Sequence, residues 1–430
     1  MRKLKIYLML LAVALVFSGC AMTTVDKLYC LPKRSEEYEN LQAVFDKAMV
    51  GYSYCAPIYG DNRHFLQVAD LDGDGTEEYL LFAKQENSER PLKILIFCQL
   101  ASGYVLMDTI EGYGFSFEFI SYAQMDDKPG VELIVGRQVS DDIMANVSIY
   151  RFTSGFSRLL MSTSYSHVTS TDLDNDGLSE LFLLTPGTTD RSNGTARLYR
   201  YSNGELQRSA EIQLSAPMDG FKTMQTGLLQ TGRPVIYVTS SPDGQSLVTD
   251  IFAIENGKLT EFTSGLVTDS IQNYFVYPQD IDDDGVLELP RLRLMQPAAD
   301  ELRQEYLIEW YSLNADHTEN VKQYTYHNYA DNWYFRLDQQ YCESLAVLQT
   351  EQRCEFYLDG DRMLTVLALT DADRLEQSQQ PGWITLYSSE NVIYVAFPEP
   401  KAAVIEMFTE SEITQRFNPI RVDLNTEKDG

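Results

Sequence analysis

Three copies of one acidic motif constrain the fold of this chain more than any other feature of its sequence. The first copy spans residues 70–78 and reads Asp-Leu-Asp-Gly-Asp-Gly-Thr-Glu-Glu, and the pattern returns at residues 172–180 and 280–288. Acids stand at positions 1, 3, 5 and 9 of every copy, with a glycine at position 6. Glycine has no Cβ and tolerates a sharply turned backbone at that point. Each motif therefore predicts a tight loop lined with acids.

Alternating acids on such a loop suit calcium, a hard cation that takes six to eight oxygen ligands at roughly 2.3–2.6 Å. We predict up to three mainly structural calcium sites, whose ligands are the carboxylates at positions 1, 3, 5 and 9 and the backbone carbonyl at position 7. These ligands are Asp70, Asp72, Asp74, Thr76 and Glu78, then Asp172, Asp174, Asp176, Leu178 and Glu180, then Asp280, Asp282, Asp284, Val286 and Glu288. The acids of one loop repel one another, so we expect the ion to brace the loop.

The EF-hand shares the opening spacing of this motif but requires a bidentate glutamate at position 12 and a helix on either side. Position 12 is Leu81, Leu183 and Arg291 in the three copies. In the first copy the apolar run Tyr79-Leu-Leu-Phe82 follows the motif at once, which is typical of a strand. The EF-hand is therefore excluded.

Two weaker copies keep the register of the motif but lose some or all of its acids. One spans residues 124–132, where Gln124, Lys128 and Pro129 replace motif residues, so we expect no calcium there. The other spans residues 227–235 and has no acid at all. The five copies begin 48 to 55 residues apart, a period that suits one four-stranded blade of a β-propeller.

The sequence between the motifs favours strands. Residues 93–97, 147–152 and 197–201 are rich in β-branched and aromatic side chains, and Asn203-Gly204 and Asn256-Gly257 are typical hairpin turns. Helical periodicity is nearly absent between residues 60 and 325. This part of the chain is therefore expected to be mainly β.

The acidic motif, the apolar strand behind it and the blade-like spacing resemble the FG-GAP/VCBS repeats of integrin-α-like β-propellers. The resemblance implies a mainly β fold, a β-propeller of about five to seven blades over residues 55–327, with calcium held between adjacent strands of a blade. Propellers of this type usually close with seven blades, whereas five repeats are visible here. Pro290 is also expected to interrupt the strand that follows the third full motif.

Residues 1–20 have the features of a bacterial export signal, with basic residues ahead of a short apolar core. Small residues directly before Cys20 resemble a lipoprotein cleavage site, which implies a lipid anchor on Cys20 at the outer face of a bacterial membrane. Ordinary secretion is the alternative. Residues 21–54 are expected to form a tether and an amphipathic helix that packs on the following domain.

The repeat fades beyond residue 325. Five strand-like runs and a capping box that begins at Thr409 predict a small α+β domain at residues 328–424, followed by a tail at residues 425–430. An additional irregular blade is the alternative for the first part of this region. Cys342 and Cys354 could pair across a hairpin, but sequence leaves the pairing of Cys30, Cys55, Cys98, Cys342 and Cys354 open.

The formal charge of −29 argues against nucleic acid, whose phosphates the chain would repel. The chain has only four histidines and no His-Glu-x-x-His, Gly-x-Ser-x-Gly or phosphate-loop motif. We therefore expect a non-enzymatic, lipid-anchored module that binds a protein or glycan partner at the cell surface. The alternative is a polysaccharide hydrolase or lyase, or an accessory subunit in which the propeller presents the substrate.

Overall fold

The computed structural model describes residues 36–140, 144–187, 192–271, 273–298, 304–350 and 353–420. Over these residues the chain is mainly β, as predicted, with three α-helices and six sheets in which all paired strands are antiparallel. The α-helices are α1 (Glu36–Ala48), α2 (Arg374–Ser378) and α3 (Glu410–Arg416). Short 3-10 helices span Met218–Gly220, Gln339–Tyr341, Pro400–Val404 and Glu406–Phe408.

The first four sheets each consist of strands that are consecutive in the chain. Sheet 1 contains β1 (Ser53–Tyr54), β2 (Leu66–Ala69), β3 (Glu78–Lys84), β4 (Leu92–Leu100) and β5 (Gly103–Gly112). Sheet 2 contains β6 (Ser116–Ala123), β7 (Glu132–Gln138), β8 (Ala145–Thr153) and β9 (Phe156–Tyr165). Sheet 3 contains β10 (His167–Thr171), β11 (Glu180–Thr185), β12 (Thr195–Ser202) and β13 (Glu205–Gln213). Sheet 4 contains β14 (Phe221–Leu228), β15 (Pro234–Ser240), β16 (Ser246–Glu255) and β17 (Lys258–Asp269).

In the last two sheets the order of the strands departs from simple succession along the chain. Sheet 5 contains β18 (Leu289–Leu294), β19 (Tyr306–Leu313), β20 (Glu319–Asn328) and β21 (Trp333–Leu337), and the final strand β27 (Phe417–Pro419) pairs with β21. Sheet 6 contains β22 (Leu345–Gln349), β23 (Cys354–Leu358), β24 (Asp361–Leu369), β25 (Ile384–Ser388) and β26 (Ile393–Pro398). In sheet 6, β26 lies between β24 and β25.

The predicted asparagine-glycine turns close two hairpins. Asn203 and Gly204 join β12 to β13, and Asn256 and Gly257 join β16 to β17. All four residues have positive φ, between 50° and 90°. A two-residue turn of this kind matches the twist of the strands and favours asparagine followed by glycine. These turns were therefore predictable from sequence.

Successive sheets share apolar cores, so the sheets pack on one another in chain order. Phe82 of sheet 1 contacts Phe117 of sheet 2 at a centroid distance of 5.3 Å, and Phe182 of sheet 3 lies 5.4 Å from Phe252 of sheet 4. Similar clusters join sheets 2 and 3, sheets 4 and 5, and sheets 5 and 6. The other face of sheet 1 is covered by α1, where Phe45 packs edge-on against Phe97. The predicted helix thus packs on the following sheet.

Sheet 5 crosses the boundary predicted between residues 327 and 328. Strand β20 ends at Asn328 and pairs with β21, which pairs in turn with β27. One apolar cluster contains Tyr326 and Trp333 of sheet 5 together with Phe356 of sheet 6. A separately folding domain at residues 328–424 stays a prediction.

Pro290 does not interrupt its strand, contrary to expectation. It lies inside β18 and is paired with Trp310 of β19. Strand β18 is the edge strand of sheet 5, so one of its sides has no partner strand. The missing N–H of proline costs no hydrogen bond on that open side.

Several predicted features lie outside the described residues: the export signal at residues 1–20, the lipid-bearing Cys20, Cys30, the tether before α1 and the tail at residues 425–430. No helix in the described ranges combines the length and the apolar character needed to cross a bilayer. Cys342 and Cys354 do not pair, since each carries a free thiol, as do Cys55 and Cys98.

Candidate metal centres

Each full acidic motif joins two stretches of chain that pair with each other in antiparallel fashion. The first motif joins β2 to β3, the second joins β10 to β11, and in the third an isolated bridge between Gln279 and Glu288 precedes β18. The motif therefore occupies the same place in sheets 1, 3 and 5. We call these loops 1, 2 and 3: residues 70–78, 172–180 and 280–288.

In every loop the structure brings together the carboxylates at positions 1, 3 and 9. One oxygen from each of the three side chains lies within 4.8 Å of the other two. The groups are Asp70, Asp72 and Glu78 in loop 1, Asp172, Asp174 and Glu180 in loop 2, and Asp280, Asp282 and Glu288 in loop 3. The predicted acid spacing thus produces three convergent sets of oxygens.

Backbone N–H groups fix two of the three carboxylates. In loop 1, Asp70 accepts hydrogen bonds from Gly73 (2.8 Å) and Gly75 (3.0 Å), and Glu78 accepts one from Leu71 (2.8 Å). Asp172 and Asp280 accept the equivalent bond from the glycine at position 6, and Glu180 and Glu288 accept it from the residue at position 2. These hydrogen bonds hold the carboxylate oxygens in position but bring no full positive charge to neutralise them.

The glycine at position 6 has the conformation that the sequence predicted. Gly75, Gly177 and Gly285 have φ of 87°, 89° and 84°. A side chain there would be strained because L-residues with a Cβ rarely adopt such angles. The turn aligns the N–H of the glycine with the carboxylate at position 1.

The acids at position 5 do not join the three groups. In each loop the Oδ1 atom of this aspartate accepts a hydrogen bond from the backbone N–H at position 7, at 2.7–2.9 Å. The pairs are Asp74 with Thr76, Asp176 with Leu178, and Asp284 with Val286. The position-5 aspartate thus stabilises the turn, while metal binding by its second oxygen and by the position-7 carbonyl stays a prediction.

Each loop also buries a carboxylate oxygen that has no hydrogen-bond partner. These atoms are Oδ1 of Asp72, Oδ1 of Asp174 and Oε1 of Glu288. A buried anionic oxygen without a partner is costly. A bound cation would satisfy it, so the donor sets of all three loops fit a hard metal ion.

Burial raises the pKa of the glutamate at position 9. The pKa values of Glu78, Glu180 and Glu288 rise from the ordinary 4.5 to about 7, first through desolvation and further through the charges of the neighbouring aspartates. Without a cation these three side chains therefore resist ionisation. A bound metal would favour the charged form.

Sequence reasoning missed the basic side chains that reach the loops from other strands. Arg200 of β12 contacts Asp174 and Glu180 of loop 2, with its Nε atom 3.0 Å from Oε1 of Glu180. Lys322 of β20 contacts Asp284 of loop 3 at 2.6 Å. Arg200 follows Glu180 by 20 residues and Lys322 follows Glu288 by 34, so spacing along the sequence gave no common signal, and only strand pairing shows which strand returns to the loop.

The two weaker copies differ from each other in structure. Residues 124–132 keep the loop geometry, because Glu132 accepts a hydrogen bond from Met125 at 2.7 Å, as position 9 does in the full motifs. In sheet 4, β14 and β15 are joined by residues 229–233 only, where loops 1 and 2 have eight residues between the paired strands. The copy assigned to residues 227–235 is therefore a shortened loop rather than an intact repeat without acids.

The chain was compared with family models, with curated proteins and with solved structures. No family model matches it, and no curated protein matches it. Among solved structures, it is similar to a putative 6-phosphogluconolactonase from Bacteroides uniformis ATCC 8492, with 12% identity, a TM-score of 0.28, and 63% of this chain and 83% of that chain covered. It is also similar to a periplasmic gluconolactonase from Pseudomonas aeruginosa, with 14% identity, a TM-score of 0.31, and 71% and 84% covered.

This finding overturns the prediction of a non-enzymatic module that binds a protein or glycan partner. Both structural neighbours are described as lactonases, which are enzymes, so the exclusion of catalysis is withdrawn. At these TM-scores the likeness assigns neither a reaction nor a substrate to this chain.

Proposed function

We propose that this chain is a calcium-binding β-propeller protein of the FG-GAP/VCBS kind, in which loops 1, 2 and 3 hold structural calcium ions. Sheets 1 to 4 are four- or five-stranded, follow one another in the chain and pack face to face, which is the arrangement expected of propeller blades. The observation that carries the metal proposal is the set of buried carboxylate oxygens without partners, one in each loop.

Calcium suits these loops better than a transition metal. All three convergent groups consist of carboxylate oxygens, with no histidine or cysteine ligand. Oxygen-only sites favour calcium, magnesium or manganese, and a ring of several carboxylates on a flexible turn suits the larger coordination number of calcium. In this role Asp70, Asp72 and Glu78, and their counterparts in the other loops, would neutralise the ion and connect two strands through it.

A calcium-dependent thermal melt tests the proposal. An ion that binds only the folded state at 100 times its dissociation constant stabilises it by about 2.7 kcal/mol per site. For a domain of this size, 1 kcal/mol shifts Tm by roughly 2–4 °C, so we expect chelation to lower the Tm by several degrees or more. Isothermal titration of the metal-free protein should show up to three bound calcium ions.

Matched charge variants give the control. The triple variant Asp72→Asn, Asp174→Asn and Asp282→Asn should lose the calcium-dependent shift. Removal of three exposed acids outside the loops, by Glu86→Gln, Glu205→Gln and Glu390→Gln, should leave it intact. An equal loss of the calcium-dependent Tm shift in both variants would mean that the shift depends only on net charge. An unchanged Tm of the wild-type protein in excess chelator would refute the proposal.

A further inference from the structure

The weak copy at residues 124–132 contains a positive charge supplied by the chain itself. The guanidinium of Arg151, from β8, contacts Asp126 and Glu132, which stand at positions 3 and 9 of this copy, with 2.9 Å between Nη1 and Oε1 of Glu132. Its Nη2 atom donates to the carbonyl oxygen of Pro129 at 3.1 Å. All three charged side chains are buried. The guanidinium thus occupies the place where the carboxylates of a full motif converge.

Strand register gives this arginine an equivalent position in sheets 1 and 3. In sheet 2, Leu133 follows position 9 and is paired with Tyr150, and Arg151 is the next residue. In sheet 3, Leu181 is paired with Tyr199, and Arg200 is next. In sheet 1, Tyr79 is paired with Phe97, and the next residue is Cys98. We call this place the facing position of each loop.

Arg200 contacts two of the three carboxylates that converge in loop 2. Its Nη2 atom lies 2.9 Å from Oε1 of Glu180, and it also reaches Oδ2 of Asp174. A divalent ion held by these side chains would compete with the guanidinium for the same carboxylates, because two cations at one set of oxygens repel each other. The side chain of Arg200 is a quarter exposed, so it has room to swing out, whereas that of Arg151 is 9% exposed.

Loop 1 has no such competitor. Its facing residue is Cys98, and none of the ion pairs found among the described residues involves Asp70, Asp72 or Glu78. Three versions of the same loop therefore coexist: one without an arginine, one with the partly exposed Arg200 and one with the buried Arg151.

We propose that the residue at the facing position decides how the loops of sheets 1, 2 and 3 are neutralised: calcium alone in loop 1, calcium in exchange with Arg200 in loop 2, and Arg151 permanently at residues 124–132. This inference rests on the proposed calcium binding. It makes loop 1 the tightest of these sites and gives loop 2 a built-in substitute that keeps it folded when calcium is scarce.

The test isolates loop 2 in the full chain. Asp72→Asn and Asp282→Asn disable loops 1 and 3, and calcium titration by calorimetry is then compared with and without Arg200→Gln. We expect Arg200→Gln to tighten calcium binding about tenfold or more, because the competing charge is gone. The control is Arg197→Gln, on the same strand, whose side chain pairs with Glu211 at 3.0 Å and not with the loop. Calcium affinity should not change in that variant.

Thermal melts separate the exchangeable arginine from the permanent one. Arg200→Gln should lower the Tm in chelator and not in calcium, whereas Arg151→Gln should lower it in both, since Gln124 and Lys128 leave that loop too few acids to hold an ion. If Arg151→Gln does not fold, Arg151→Lys keeps the charge and should retain most of the stability. Calcium binding with unchanged affinity in Arg200→Gln overturns this inference alone. Absence of calcium binding in wild type and all variants overturns the proposed function as well.

Discussion

The glutamate at position 9 differs from the other acids of its loop because it also begins a strand. Glu78 and Glu180 are the first residues of β3 and β11, and Glu288 directly precedes β18. Strand pairing buries these side chains, while the aspartates at positions 1 and 3 remain more exposed. The same residue therefore contributes to the sheet through its backbone and to the loop through its carboxylate. Its burial is the reason that its pKa is raised.

The raised pKa values predict how the stability of the metal-free protein depends on pH. These glutamates bind protons more tightly in the folded state, with pKa about 7, than in the unfolded state, near 4.5. Their contribution to stability is fully present below about pH 4.5 and is lost as the pH rises through about 7. In chelator, urea unfolding should therefore show a smaller free energy of unfolding at pH 8 than at pH 6.

The triple variant Glu78→Gln, Glu180→Gln and Glu288→Gln should flatten this dependence, because glutamine does not titrate. The exposed triple variant Glu86→Gln, Glu205→Gln and Glu390→Gln is the matched control and should keep it. A wild-type free energy of unfolding that rises from pH 6 to pH 8 in chelator would contradict the prediction.

At the scale of elements, helix α1 covers a sheet face that would otherwise lie open. Leu41 and Phe45 share one apolar cluster with Leu81, Leu95 and Phe97 of sheet 1. The sequence predicted the helix from its apolar spacing and its role from its position before the first repeat. Because the cores that join successive sheets lie between two sheets, α1 takes the place of a sheet at this end of the series.

The variant Phe45→Ala should destabilise the protein by about 3 kcal/mol, which is the lower end of the usual range for replacing a buried phenylalanine by alanine. Phe45 is 5% exposed and its ring lies 4.8 Å from that of Phe97. The free energy of unfolding in urea measures the loss. Lys47→Ala, an exposed change in the same helix, should alter stability by less than about 0.5 kcal/mol. Equal effects of the two variants would mean that α1 does not pack as described.

At the scale of the molecule, the chain ends by returning to an earlier sheet. Strand β27 pairs with β21 of sheet 5, and Phe417 packs against Trp333. The core beneath it combines Leu307, Tyr324 and Tyr326 with residues of sheet 6. Side chains from before residue 328 thus fill part of the core of the C-terminal region.

We expect residues 328–424 expressed alone to lack a cooperative thermal transition. Removing the earlier strands of sheet 5 exposes the apolar faces of Trp333 and Phe356, and a core that has lost large side chains does not stay closely packed. Circular dichroism melting of this segment, beside one that begins at residue 289 and includes all of sheet 5, measures the difference. A sharp, reversible transition of the shorter segment would instead support an independent α+β domain.

The local features of this protein were decided by its sequence. Acid spacing and a glycine at position 6 specify the loops, alternating β-branched residues specify the strands, and Asn-Gly pairs specify the hairpins, because each acts within a few residues. Tertiary structure alone decided which side chain faces each loop. Arg151, Arg200 and Cys98 reach their loops through strand pairing about twenty residues later in the chain, and Pro290 is tolerated because its strand lies at an edge. Local chemistry cannot encode these outcomes, since they depend on register and on which strands become neighbours.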